Sequence, residues 1–177
     1  MPLLRSETLK SLVEMQAHNP GPLSMLTVTA ADPRGFGRVV RGADGKVTAI
    51  VEEAAATAEQ LQIGELNVGA YCFRADWLWQ ALEEIPVSQK GEYYLTDTVA
   101  LAVQAGLEVR TTACADLTET IGINTRIHLA ETETAMRQRI NTGHMLAGVT
   151  IIDPAVTYIE AGVVIGMDTV IAPNTHL

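Results

Sequence analysis

The residue types that most often carry chemistry show no catalytic spacing in this sequence. No metal-site spacing occurs among the four histidines, which are His18, His128, His144 and His176. The sequence contains no Gly-x-Ser-x-Gly elbow for a nucleophilic serine and no Walker loop for a phosphate. Gly35-Phe36-Gly37 lacks the third glycine of a dinucleotide-binding turn, so an ordinary loop explains it equally well. The sequence therefore indicates neither a histidine metal centre nor a serine nucleophile.

Five short segments combine glycine with carboxylate, amide and hydroxyl residues in a more specific way. They are Gly35-Phe36-Gly37-Arg38-Val39, Ile50-Val51-Glu52-Glu53, Glu65-Leu66-Asn67-Val68-Gly69, Gly91-Glu92-Tyr93-Tyr94-Leu95-Thr96-Asp97 and Gly122-Ile123-Asn124-Thr125-Arg126. Taken singly, Glu52 is explained as a solvated charge at a strand end, and Asn67 or Asn124 as a turn or cap residue. Only the ordered occurrence of all five segments in one chain favours a functional interpretation.

The charge balance disfavours two classes of partner. Twelve lysines and arginines stand against twenty-one aspartates and glutamates, which gives a net charge of -9. A non-specific nucleic-acid binder needs a basic face, and an anionic membrane surface attracts basic segments. No apolar run approaches the ~20 residues of a membrane span, and no signal-peptide pattern is present. We expect no nucleic-acid partner and no membrane partner.

The two cysteines predict a reduced environment. Cys72 and Cys114 lie far apart and match no metal-binding or redox spacing. We therefore expect two free thiols in a cytoplasmic protein.

Alternating strand-like and helical segments predict an α/β fold with a mixed sheet. Hydrophobic residues make up 47% of the chain, enough to form a core. Strands are expected over 24–30, 37–41, 46–52, 65–74 and 107–112, with a hairpin turn at 42–45. Helices are expected over 6–18, with Ser6 as the cap, and over 76–84, 97–104 and 125–146. Residues 53–62 fit either a short helix or a long loop.

The last thirty residues carry a six-residue repeat. Aliphatic residues recur at Ile159, Ile165 and Ile171, and a small residue follows each of them four positions later. A hexapeptide period with an aliphatic start is typical of a parallel β-helix, in which three segments complete one triangular coil. An ordinary pair of strands with a turn is the simpler alternative. One coil is not stable alone, because each repeat buries its face against a neighbour.

In their order, the five segments and the repeat resemble the bifunctional bacterial enzyme N-acetylglucosamine-1-phosphate uridyltransferase/glucosamine-1-phosphate N-acetyltransferase. The resemblance covers nearly the whole chain and is most specific in Gly-Glu-Tyr-Tyr-Leu-Thr-Asp and Gly-Ile-Asn-Thr-Arg. The Gly-x-Gly-Arg and Val-Glu pieces are shared by sugar-nucleotide pyrophosphorylases in general. The resemblance implies a Rossmann-like domain that makes UDP-N-acetylglucosamine and pyrophosphate from UTP and N-acetylglucosamine 1-phosphate, a precursor step for peptidoglycan and lipopolysaccharide.

The same resemblance implies roles for individual residues. Gly37 would offer its backbone N–H to the sugar, Glu52 would accept hydrogen bonds from sugar hydroxyls, and Asn67 would bridge sugar and ribose hydroxyls. Tyr93 and Thr96 would line the sugar pocket. Asn124 would also contact the substrate and give its amide oxygen to a catalytic Mg²⁺ ion.

The resemblance implies a fold and its boundaries. We expect an α/β protein with part of a Rossmann-like nucleotidyltransferase domain over 1–126, a helical linker over 127–147, and the first coil of a left-handed parallel β-helix over 148–177. In the family, a glycine-rich cationic loop and a metal-binding aspartate precede the segment that matches Met1-Pro2-Leu3-Leu4. We therefore expect the chain alone to lack appreciable uridyltransferase activity. The family's acetyl-CoA site lies between the β-helices of a homotrimer, beyond the first coil.

Other interpretations stay open. The chain could be a non-catalytic interaction or scaffold module, or part of another nucleoside-diphosphate-sugar pyrophosphorylase. A hexapeptide acyltransferase with an unusual N-terminal domain ranks last, because it requires more coils than one.

Overall fold

A computed structural model describes residues 1–88 and 91–177, which form two compact units. The first unit comprises Leu4–Thr120. The second comprises Met1–Leu3 together with Ile121–Leu177.

The first unit is built on a five-stranded mixed sheet. Its strands are β1 (Leu23–Thr29), β2 (Arg38–Arg41), β3 (Val47–Val51), β4 (Glu65–Phe73) and β5 (Val109–Ala113). The order across the sheet is β3-β2-β4-β1-β5. Strand β1 pairs with β5 in parallel and with β4 antiparallel, and β2 pairs antiparallel with both β3 and β4. The mixed α/β architecture predicted from the sequence is confirmed.

Helices cover the two faces of this sheet. Helix α1 (Ser6–Ala17) packs on β1 and β4, where Leu12 joins a cluster with Leu26 and Val28. Helix α2 (Ala75–Glu84) contacts α3 (Asp97–Gln104). Helix α3 packs on β3 and joins a second cluster that contains Leu23 and Met25. Because alternate residues of β1 enter different clusters, this central strand is buried on both faces.

The predicted hairpin between β2 and β3 is confirmed. The Gly42 N–H donates to the Lys46 carbonyl at 2.9 Å, and the Gly45 N–H donates to the Gly42 carbonyl at 2.9 Å. Residues 53–62, which fitted either a helix or a loop, contain two short 3₁₀ turns at Glu53–Ala55 and Gln60–Gln62.

The start of α1 differs from the expectation that Ser6 caps it. The cap position is Arg5, whose side chain makes no capping bond. Instead, the carboxylate of the buried Glu119 accepts hydrogen bonds from the Arg5 N–H at 2.9 Å and from Thr8 Oγ1 at 2.7 Å. A group more than a hundred residues away in sequence thus satisfies the helix end, which local sequence patterns do not reveal.

The second unit contains helix α4 (Arg126–Leu146) and two short parallel strands, β6 (Thr150–Ile151) and β7 (Val170–Ile171). As expected, the helix follows directly on Thr125, whose side chain accepts a hydrogen bond from the His128 N–H. Tyr158 and His176, eighteen residues apart, form a parallel bridge. Aliphatic side chains form the core of this unit: Val149, Ile151, Ile159 and Ile171 are buried, and Ile165 packs against them. The β-helix coil and the domain boundaries remain predictions.

Asn141 joins α4 to the chain that follows it. Its side chain is fully buried, and Nδ2 donates to the carbonyls of Pro154 at 2.9 Å and Thr157 at 3.0 Å. These bonds hold the turn at Pro154–Val156 against the helix.

Replacing Asn141 with alanine should therefore destabilise the second unit. The carbonyls of Pro154 and of the buried Thr157 would lose their donor, and an unsatisfied buried polar group costs about 1–3 kcal/mol. Urea unfolding followed by circular dichroism measures the effect, with Gln138→Ala as the matched control at an exposed position of the same helix. Equal unfolding midpoints for the two variants would contradict the assigned role of Asn141.

Candidate functional site

Glu52 lies at the end of β3 and directly precedes the 3₁₀ turn Glu53–Ala55. Thr96, at the start of α3, donates a hydrogen bond from Oγ1 to Oε1 of Glu52 at 2.9 Å. Glu52 borders an open depression of about 540 Å³, which is lined by Gly35, Glu52, Glu53, Ala54 and Tyr94. Because Thr96 engages one carboxylate oxygen, the orientation of the Glu52 side chain is fixed at the edge of this depression.

Gly37 lies between Glu52 and Asn67. Its carbonyl accepts a hydrogen bond from the Asn67 backbone N–H at 2.8 Å. A Cβ atom at Gly37 would lie 3.5 Å from Oε2 of Glu52 and 2.9 Å from Cγ2 of Ile50. A side chain at Gly37 would therefore clash with Ile50, so the close approach of this segment to the end of β3 favours glycine.

Asn67 is buried in β4, and its carboxamide is held at both ends. Oδ1 accepts a hydrogen bond from the Gly69 N–H at 3.0 Å, and Nδ2 donates to the Tyr71 hydroxyl at 2.7 Å. These two bonds leave one N–H of the Asn67 carboxamide and one lone pair on its Oδ1 available for a further hydrogen bond.

A bulge in β4 makes this arrangement possible. Met25 of β1 lies opposite Tyr71, and Thr27 lies opposite Asn67, so β4 contains two more residues than β1 between these pairs. Gly69 sits in the bulge with φ +79°, a conformation that favours glycine. Residues four apart in a regular strand are separated by about 13 Å, so the bulge is what brings the two side chains into hydrogen-bonding distance.

A buried arginine links the two segments that flank the depression. The Arg38 side chain is 2% exposed. Its Nη2 lies 3.0 Å from Oε2 of Glu53, and its Nη1 donates to the Phe36 carbonyl. Phe36 directly precedes Gly37 and Glu53 directly follows Glu52, so one guanidinium fixes the neighbours of two predicted site residues.

Tyr93 and Asn124 make contacts with other residues. Tyr93 is 67% exposed and forms an antiparallel bridge with Val87. Its neighbour Tyr94 is the tyrosine that lines the depression, and it donates to Glu92 Oε2 at 2.9 Å. Asn124 belongs to the second unit, where its side chain is exposed and its backbone N–H donates to His128 Nδ1 at 3.3 Å. The roles of Tyr93 and Asn124 stay predictions.

The structure therefore brings together four of the predicted residues, Gly37, Glu52, Asn67 and Thr96. Sequence analysis missed Arg38, Tyr71 and Tyr94. A signal for the bulge existed, because Asn67-Val68-Gly69 places a glycine inside a strand pattern. No sequence signal distinguished Tyr94 from Tyr93, since both lie in the same segment.

Burial keeps the Tyr71 hydroxyl, the hydrogen-bond partner of Asn67, in its neutral form. Burial raises the pKa of Tyr71 to about 12, and the nearby Glu52 charge adds to this effect while the Asn67 hydrogen bond opposes it. The hydrogen bond to Glu92 likewise raises the pKa of Tyr94.

Carboxylate oxygens, a carboxamide and neutral hydroxyls are the groups that recognise a polyhydroxylated ligand. The charged residues lining the depression, Glu52 and Glu53, do not favour a free phosphate there.

The donor set does not by itself fit a resident metal ion. Within residues 1–88 and 91–177, no group of three or more histidine, cysteine, aspartate or glutamate side chains is arranged to hold one. Asn124 offers a single neutral oxygen, whereas Mg²⁺ binds through one or two carboxylates together with substrate phosphates.

No helix in the described part of the chain is both long enough and apolar enough to cross a membrane.

Known proteins that resemble nearly the whole chain share one name. The chain is 47% identical over 177 residues to the bifunctional protein GlmU of Exiguobacterium sibiricum, covering 99% of this chain and 39% of that protein. It is 44% identical over 178 residues to the bifunctional protein GlmU of Geobacter sulfurreducens, covering 100% of this chain and 37% of that protein. The chain thus spans about two fifths of the length of these curated relatives.

A solved structure shows the same fold at low sequence identity. A CMP-2-keto-3-deoxy-manno-octonic acid synthetase complexed with CTP is 20% identical, with a TM-score of 0.51, covering 78% of this chain and 58% of that chain. No protein-family model matches the chain.

Replacing Tyr71 with phenylalanine should change how stability depends on pH. The phenol ionises near pH 10 in the unfolded chain but near pH 12 in the folded one. Its contribution to stability is therefore complete below about pH 10 and is lost between about pH 10 and 12, at about 1.4 kcal/mol per pH unit. Urea unfolding at pH 9, ~10.5 and ~11.5 should show a shallower decline for Tyr71→Phe than for the wild type. An identical decline in both proteins would show that Tyr71 ionises normally.

Proposed function

We propose that the Leu4–Thr120 unit forms the sugar-binding wall of a sugar nucleotidyltransferase site. The similarity of the whole chain to about two fifths of the bifunctional GlmU proteins supports this proposal. The observation that carries this proposal is the convergence of Gly37, Glu52, Asn67 and Thr96, which come from four separate segments of the unit. The ligand would be UDP-N-acetylglucosamine or N-acetylglucosamine 1-phosphate.

The geometry suits recognition of sugar hydroxyls. Thr96 occupies Oε1 of Glu52, which leaves Oε2 to accept a hydrogen bond from the ligand. Oε2 is also the carboxylate oxygen nearest to Gly37, where the lack of a side chain lets the backbone pack closely against the end of β3. Asn67 contributes one free N–H and one free lone pair, so it can donate and accept at the same time.

The reaction that this wall would serve is uridylyl transfer. A phosphate oxygen of N-acetylglucosamine 1-phosphate attacks the α-phosphorus of UTP, and pyrophosphate leaves as UDP-N-acetylglucosamine forms. Such a step depends on positioning and on neutralising phosphate charge. The depression carries Glu52 and Glu53, while the Arg38 guanidinium is buried and paired with Glu53. We infer that the 177-residue polypeptide binds the sugar and leaves the triphosphate without a cationic cradle.

Magnesium is the cofactor expected for this reaction. Because Asn124 is a single neutral donor on an exposed side chain, the described residues do not form a metal site by themselves. We therefore assign no step to a metal ion on this chain.

For the second unit, we propose the start of a hexapeptide-repeat domain of the acetyltransferase type, joined by α4 as a linker. The parallel bridge between residues eighteen positions apart, Tyr158 and His176, supports this proposal, as does burial of Ile159 and Ile171 at the repeat positions. The homotrimer and the cytoplasmic location expected from the family belong to the same proposal.

A binding experiment tests whether the sugar-binding wall recognises a sugar. Isothermal titration of the 177-residue polypeptide should show weak binding of UDP-N-acetylglucosamine and weaker binding of UDP, because only the former carries the sugar. Glu52→Gln should lower the affinity about tenfold or more, since a hydrogen bond to a charged acceptor contributes about 1.5–3 kcal/mol. Glu59→Gln, at an exposed position outside the depression, is the matched control.

Two results of that titration would count against the sugar wall. One is equal affinity for UDP and UDP-N-acetylglucosamine. The other is an unchanged affinity in Glu52→Gln. A scaffold module without a sugar site would give no binding of either ligand.

An activity assay tests the inferred lack of turnover. Pyrophosphate release from UTP and N-acetylglucosamine 1-phosphate with Mg²⁺ should stay at background for the 177-residue polypeptide, because the described residues that line the depression include two carboxylates and no cationic side chain. The full-length GlmU of Exiguobacterium sibiricum serves as the positive control. Turnover at the rate of that enzyme would show that the polypeptide contains the complete site.

A further inference from the structure

The Asn67 carboxamide is held in one orientation by two partners that do not belong to the ligand. Gly69 donates to Oδ1 at 3.0 Å, and the Tyr71 hydroxyl accepts from Nδ2 at 2.7 Å. The first bond is made within the bulge and fixes only the oxygen end. The second bond fixes the nitrogen end, and it decides where the remaining N–H points.

Without Tyr71, the carboxamide would keep only its bond to Gly69. The terminal torsion of asparagine has a broad energy profile, so one bond leaves the amide group free to swing. A ligand would then have to order this group on binding, and ordering a side chain lowers affinity. A fixed carboxamide avoids that loss, as expected for a preorganised site.

Tyr71 is itself held rigidly. Its ring stacks on Phe73 with centroids 5.5 Å apart, and Phe73 stacks on Trp77 at 6.5 Å. The ring packs against the cluster that includes Met25 and Val99. The phenol stays protonated over the ordinary pH range, because burial raises its pKa to about 12. Its oxygen is therefore a neutral acceptor for Asn67 at a fixed position.

We propose that Tyr71 is a positioning residue for the sugar site, whose hydroxyl holds the Asn67 carboxamide with one N–H and one lone pair directed to a sugar ligand. This role rests on the proposed function of the Leu4–Thr120 unit. Tyr71 acts through Asn67 and does not contact the ligand.

A double-mutant cycle tests this role on the 177-residue polypeptide. Affinity for UDP-N-acetylglucosamine is measured for the wild type, Tyr71→Phe, Asn67→Ala and the double variant. Tyr71→Phe should weaken binding about threefold to tenfold, in the range expected for one lost hydrogen bond. The same substitution should have no further effect when Asn67 is already alanine, because the group that it positions is gone. Tyr158→Phe, in the second unit, is the matched control and should bind like the wild type.

Nuclear magnetic resonance supplies a readout that needs no ligand. In spectra of the carboxamide groups, the Asn67 signals should shift or broaden in Tyr71→Phe while the backbone signals of the sheet remain in place. This measurement separates loss of positioning from loss of the fold.

The outcomes distinguish the positioning role from the proposed function. Additive effects in the cycle, or unchanged affinity in Tyr71→Phe, would overturn the positioning role. If the wild type does not bind UDP-N-acetylglucosamine, the proposed function fails, and unchanged Asn67 signals in Tyr71→Phe would then overturn the positioning role independently. Non-additive affinities together with altered Asn67 signals support it.

Discussion

Gly69 interrupts a nine-residue strand with a backbone conformation of positive φ, and the position of the site amide depends on that interruption. A regular strand would separate Asn67 and Tyr71 by about 13 Å along the backbone. The bulge shortens this path and turns the Gly69 N–H towards Oδ1 of Asn67. The Asn67 backbone N–H still donates to the carbonyl of Gly37, the residue directly before β2. The irregularity thus aligns an amide, a phenol and a glycine, and it leaves one N–H and one lone pair of the Asn67 carboxamide without a protein partner.

The second constraint is the burial of a positive charge. An isolated guanidinium inside a protein is costly, so Arg38 must be paired where it lies. Its partners are the Phe36 carbonyl and the Glu53 carboxylate, which belong to two different segments. Each of these partners is the neighbour in sequence of a candidate site residue, Gly37 or Glu52. The pairing of the Arg38 guanidinium therefore links the segment before β2 to the segment after β3.

The depression is acidic because Glu52 and Glu53 line it, and hydrogen bonds with Thr96 and Tyr71 orient the Glu52 carboxylate and the Asn67 carboxamide. Such a surface suits a ligand rich in hydroxyl groups better than a naked polyphosphate. The chain matches about two fifths of the length of the bifunctional GlmU proteins. The fold of the sheet is shared with a CMP-2-keto-3-deoxy-manno-octonic acid synthetase complexed with CTP, at 20% sequence identity.

The sequence by itself determined the alternation of strands and helices and the hairpin at 42–45, and the resemblance that it carries made Gly37, Glu52, Asn67 and Thr96 candidates. These features are local: periodic burial, turn residues and short ordered segments are visible without knowing which strands pair. Only the tertiary structure decided that Glu119 caps α1, that Arg38 bridges two segments, and that Tyr94 lines the depression. It also decided that Tyr71 reaches Asn67. Each of these contacts depends on strand register, on a bulge or on a partner distant in sequence. Such contacts are therefore visible only when the positions of the backbone segments in three dimensions are known.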